Sequence, residues 1–163
     1  MINAAHLHLV LAHLPVILIP TGLTIAVVGR FKQNTAVKIT GASVLLIAGM
    51  LALPVYFSGG EAEEIVERLP GIVEEQIEAH EEIAEVVLIL ALATAVLALV
   101  TLFQIIFAKS TATLIFNLLL VVAMLSSGFL AYTSNLGGKI RHSEIDAGRG
   151  AATQVGHDSE HDD

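Results

Sequence analysis

Residues 83–108 read IAEVVLILALATAVLALVTLFQIIFA, with Glu85 as the one ionisable side chain in the stretch. A helix rises about 1.5 Å per residue and needs about 20 mostly apolar residues to cross roughly 30 Å of hydrocarbon. This segment is therefore long and apolar enough to span a bilayer. Working outward from it, three more segments meet the same test: Leu7 to Val28, Val37 to Phe57, and Ala112 to Tyr132. The period-two alternation of a membrane barrel strand is absent from all of them, which leaves helices as the spanning elements. The expected fold is all-α: an integral membrane four-helix bundle over residues 1–146, followed by a flexible acidic tail over 147–163. Composition agrees, since 55% of the chain is hydrophobic and its mean hydropathy is +0.77, against about 45–50% apolar residues in a soluble domain.

The chain contains no cysteine. Disulfides, iron–sulfur clusters, thiolate zinc sites and covalent c-type haem attachment are thereby excluded. Any metal has to be held by His, Glu, Asp, Met or backbone. No positively charged region precedes the first apolar run, so that run reads as the first helix of the mature protein and not as a cleaved signal peptide.

Short loops carry the topological signal because Lys and Arg accumulate on the cytoplasmic side. The first loop holds Arg30, Lys32 and Lys38 with no acid, and the loop between helices three and four holds Lys109 with no acid. The second loop has nine glutamates from Glu61 to Glu82 against Arg68 alone. These loops predict a multi-pass protein of a bacterial inner membrane with both termini periplasmic. A formal net charge of -8 argues against nucleic acid as a partner.

Local signals refine the helices. Pro15 and Pro20 fall inside helix one, where each removes an amide donor and bends the helix. Ser58-Gly59-Gly60-Glu61 has the spacing of a capping box, predicting that a short amphipathic periplasmic helix starts there, runs to about Leu69 and lies on the membrane surface. Pro70-Gly71 marks a turn, after which an extended third helix begins near Ile72 and enters the bilayer near Ile83.

The seven histidines are His6, His8, His13, His80, His142, His157 and His161, and all fall toward the outward side of this topology. Three separate segments thus bring imidazoles to one membrane face. Imidazole is a common ligand for haem iron, zinc and copper. On helix three, His80, Ala84, Val87, Ala91, Thr94, Ala98 and Thr101 form a small and polar stripe expected to face the bundle. On helix four the corresponding row is Asn117, Met124, Gly128, Ala131 and Asn135, and the Gly137-Gly138 pair is expected to interrupt the helix. On helix one, His6, His13, Pro20 and Thr24 share one face, while His8, Ala12, Gly22, Ala26 and Gly29 share another.

The strings His6-Leu7-His8 with His13 and Pro15, Pro54-Val55-Tyr56 with Ser58-Gly59, Glu78 with His80-Glu81, and Leu136-Gly137-Gly138 with Ile140-Arg141-His142 resemble an uncharacterised bacterial family of four-helix inner-membrane proteins, a domain of unknown function. The likeness covers residues 3–146. It implies the same fold and the same histidines, and brings no activity with it.

Function is therefore read from the candidate site. The leading expectation is a b-type haem protein transferring electrons at the periplasmic side, between quinone or a membrane partner and a periplasmic redox partner. His13 and His80 form the first candidate pair, with His8 and His142 as second choices, and Arg141 and Lys139 are placed to meet haem propionates. The alternative is a zinc, copper or non-haem iron site built from His8, His13, His80 and His142 joined by Glu81 or Glu144. It lacks a H-E-x-x-H or Glu-x-x-His repeat, and with Met1, Met50 and Met124 as the only methionines copper transport is disfavoured. A third reading is an accessory subunit of a larger complex, or a homo-oligomer, whose stripes serve packing alone.

Overall fold

In the computed structural model, which describes residues 3–70, 72–108 and 112–141, four helices follow one another: α1 (Ala4–Phe31), α2 (Thr35–Val66), α3 (Glu74–Ile106) and α4 (Thr113–Arg141). All four are long and apolar enough to cross a membrane. Each packs on two neighbours in the order α1, α2, α3, α4 and back to α1, so α1 and α3 stand diagonally across the bundle. His8 near the start of α1, the last turns of α2, His80 near the start of α3 and the last turns of α4 consequently share one end.

The helix ends are written locally. Asn3 caps α1 by accepting from the His6 amide at 2.9 Å, and Asn34 caps α2 by accepting from the Val37 amide at 3.2 Å. Between them Gln33 takes the left-handed conformation at φ 52°, the Gln33 amide bonds the Arg30 carbonyl and the Asn34 amide bonds the Gly29 carbonyl. That is a Schellman ending with glutamine where glycine is usual. Glu74 and Glu75 put negative charge in the first turn of α3, at the positive end of its dipole.

The bundle is packed with small residues inside and large ones outside. Ala26, Ala42, Ala48, Ala91, Ala98 and Ala123 are buried, whereas Ile89 is 67% exposed and Phe103 60% exposed. Lipid offers no hydrophobic incentive to bury leucine, so close approach of backbones becomes the source of helix association. Gly41 and Gly49 make two such approaches: a Cβ at Gly41 would stand 2.6 Å from the Ala26 amide nitrogen, and one at Gly49 would collide with the Ala91 carbonyl. Across the α3–α4 seam, Thr94 and Ser126 share a buried hydrogen bond at 3.0 Å. The protein is a membrane-embedded four-helix bundle.

Three expectations are corrected. Residues 58–66 are the last turns of a continuous α2 and not a separate surface helix, because the Ser58 hydroxyl turns back to the Val55 carbonyl at 2.9 Å instead of capping a new start. At about 1.5 Å per residue, α2 and α3 both outreach the hydrocarbon and project from the same end, the latter as expected. Gly137 and Gly138 do not interrupt α4, which runs on to Arg141. The buried face of α4 is Phe116, Leu119, Ala123, Ser126, Leu130 and Thr133, while Asn117, Met124, Gly128, Ala131 and Asn135 are exposed. The Thr94–Ser126 bond and the fit of Phe116 and Leu119 inside the bundle select the neighbouring row. The α3 stripe lies as expected, with Val87, Ala91, Thr94, Ala98 and Thr101 buried.

Thr101 Oγ1 is buried without a hydrogen-bond partner. An unpaired hydroxyl in an apolar interior is unfavourable, whereas the isosteric methyl is not. Thr101→Val is expected to stabilise the bundle by about 1 kcal/mol, read as a higher midpoint of denaturant unfolding in detergent.

Candidate functional site

The end that carries the chain start and the α2–α3 turn gathers two of the four candidate histidines. His8 lies on the inward stripe of α1 that continues through Ala12, Pro15, Ile19, Gly22, Ala26 and Gly29. His80 lies on the inward stripe of α3 that continues through Ala84, Val87, Ala91, Thr94, Ala98 and Thr101. The two series have the same spacing, so each histidine opens the inward stripe of its own helix. His8 and His80 are close enough for their charges to interact.

Each imidazole is held in the same way by the other helix of its own hairpin. His8 Nδ1 stands 3.0 Å from the Val55 carbonyl and 3.2 Å from Ser58 Oγ on α2. His80 Nδ1 stands 3.0 Å from the Thr133 carbonyl and 3.3 Å from Thr133 Oγ1 on α4. A carbonyl oxygen only accepts, so Nδ1 carries the hydrogen in both rings and Nε2 keeps its lone pair when the ring is neutral. A glycine one turn beyond each carbonyl makes room. A Cβ at Gly59 would meet His8 Cε1 at 3.4 Å, and one at Gly137 would meet His80 Cε1 at 3.1 Å. The stretches 55–60 and 133–138 therefore perform the same task, a carbonyl followed four residues later by the first of two glycines.

His13, expected as the partner of His80, is not brought to it. Five residues place it about 140° around α1 from His8; it is exposed, and its Nδ1 bonds the Leu9 carbonyl of its own helix. His6 is likewise exposed. His142, His157 and His161 lie outside the described residues, as does the tail from residue 147. Arg141 is the last residue of α4, and Lys139 is half-buried two residues after Gly137. Among the described residues no group of three or more His, Asp or Glu side chains is arranged to hold a metal ion.

Carboxylates crowd the rim of this end. Tyr56 donates to Glu85 at 3.4 Å between α2 and α3. Glu63, beyond the apolar stretch of α2 that ends at Phe57, is pushed up to about 7 by its hydrogen bond with the Glu81 carboxylate, by partial burial and by the negative charge of Glu81, Glu67 and Glu64. A folded-state value above the unfolded one favours the protonated folded form, so this contribution to stability is present at low pH and lost as pH rises through about 7. Thermal stability in detergent is expected to decline across that interval. Glu63→Gln, which still donates to Glu81, should flatten the slope; an undiminished slope would place its origin elsewhere.

Comparison with protein-family models, with curated proteins and with solved structures yields no match.

Proposed function

We propose that this is a membrane-embedded b-type haem protein in which His8 and His80 would hold the haem. The observation that carries this reading is the pair of half-buried imidazoles on diagonal helices, each with Nδ1 bonded to a backbone carbonyl of the neighbouring helix, which leaves Nε2 as the nitrogen with a lone pair to offer. Metal-bound histidine is characteristically held by such a bond from its other nitrogen, which fixes the ring and strengthens it as a donor. Two protein ligands suit a macrocycle that brings four nitrogens of its own, whereas a zinc, copper or non-haem iron centre calls for more side chains than the two gathered among the described residues.

When bound, haem supplies a one-electron couple. The chain would supply two imidazole donors and, through Val55, Ser58 and Thr133, their orientation. The base-rich turn after α1 and the glutamates at the opposite end support an orientation in which the histidine end is periplasmic. Electrons then pass at that side, between quinone or a membrane partner and a periplasmic redox partner. We also take the chain to belong with the four-helix membrane proteins that its motifs resemble.

The test is the absorption spectrum and iron content of the protein purified from membranes with haem available. A Soret band, α and β bands on reduction and one iron per chain are expected. A colourless, metal-free preparation overturns the reading and leaves an accessory subunit; zinc or copper without haem replaces it with a metal site.

A further inference from the structure

At the opposite end of the bundle, the seam between α1 and α4, the narrowest of the four, opens into a cleft of two lobes that share Arg30 and Gln33. The larger lobe, about 460 Å³, is walled mainly by Val27, Phe31 and Leu120. The smaller, about 120 Å³, is walled by Lys38 and Thr113 against the Phe116 ring. Both cations have neutral partners. Arg30 Nε donates to Asn117 Oδ1 at 3.4 Å, Lys38 Nζ donates to Gln33 Oε1 at 3.3 Å, and Lys38 Nζ lies 5.7 Å from the centre of the Phe116 ring. No carboxylate among the described residues pairs with either.

We propose that this cleft binds an anionic phospholipid, its phosphate between Arg30 and Lys38 and an acyl chain in the apolar lobe. The cleft is amphipathic in the same sense as such a lipid, and it sits where four spanning helices end, at headgroup depth. Phe31, 82% exposed, and Leu114, 77% exposed, continue its apolar side onto the lipid-facing surface. A zwitterionic lipid would bring a cation of its own beside the two already there, and a soluble anion would leave the larger lobe without an apolar occupant. Basic pockets between spanning helices are a recurring way to hold anionic headgroups, each basic residue adding to the attraction. The orientation proposed above serves only to name the leaflet, the cytoplasmic one; the binding does not depend on haem.

Native mass spectrometry of the full chain in detergent, offered phosphatidylglycerol and phosphatidylcholine with identical acyl chains, tests this directly. Phosphatidylglycerol should be retained at least about ten-fold better, and the Arg30→Gln, Lys38→Gln double variant should bring the ratio close to one. Leu120→Trp, which fills the apolar lobe and keeps both cations, should also reduce phosphatidylglycerol retention; it decides the matter if the double variant loses its helical circular dichroism. Equal retention of the two lipids by the unmodified protein overturns the proposal, as does a ratio unchanged in the folded variants. So does displacement by inorganic phosphate at the concentration where phosphatidylglycerol competes, which would assign the cleft to a free anion.

Discussion

His80→Ala and His8→Ala are each expected to abolish the b-type spectrum that the proposed haem would give, while His13→Ala leaves it unchanged. The expectation follows from placement and not from residue type, since all three are histidines within the first turns of their helices. His8 and His80 are half-buried on inward stripes, with Nδ1 engaged by carbonyls of the paired helix. His13 faces outward and bonds its own helix. Loss of a partner that merely orients a metal ligand typically weakens binding by about 10- to 100-fold, so removal of the ligand should do more. Haem retention through size-exclusion chromatography and the position of the reduced α band are the measurements. If His13→Ala bleaches the protein while His8→Ala does not, the pairing argued here is wrong even though the protein still binds haem.

The largest effect on stability is expected at Gly49. A Cβ there would collide with the Ala91 carbonyl and stand 2.8 Å from Ala95 Cβ. The obstructing atoms belong to the body of α3 and not to the far end of a flexible side chain, so relief requires the two helices to separate. Inserting atoms into a filled interior costs about 1–3 kcal/mol, and Gly49→Val should fall at or above the upper end of that range. Unfolding midpoints in a graded denaturing detergent read the effect. Gly128→Ala is the matched control: nothing lies within 4 Å of its Cβ position, and alanine is favoured over glycine in a helix by about 1 kcal/mol. Equal responses at the two positions would mean that the α2–α3 seam is not the close contact described. The haem reading is independent of this result.

The position of His80 was legible from its stripe, because the small and polar row on α3 is the one that packs. His8 was legible in part. It stands on the small-residue face of α1 with Gly22, Ala26 and Gly29, all buried, but His13 shares a second plausible face, and composition does not say which face meets a neighbour. On α4 the same reasoning chose the wrong row, since small residues also occur facing lipid. Ser58, Thr133, Gly59 and Gly137 escaped notice as supports of the histidines. Their signal was present as two stretches, 55–60 and 133–138, that each end in a glycine pair. The spacing of Ser58 and Glu61 suggested a new helix start and the Gly137-Gly138 pair a helix interruption, because glycine is poor in isolated helices; here α2 and α4 continue through both.

By itself the sequence determined the number of candidate spans, the gathering of bases and glutamates at opposite ends, and the absence of cysteine. Those properties depend on length, hydropathy and charge, which partition locally between water and lipid. Only the tertiary structure decided which of the described imidazoles turn inward, which row of α4 is buried and that Ser58 supports a ring instead of starting a helix. Each of these depends on the rotation of one helix against another, and that rotation is set by contacts such as Gly49 on Ala91 and Thr94 on Ser126 between residues far apart in the chain.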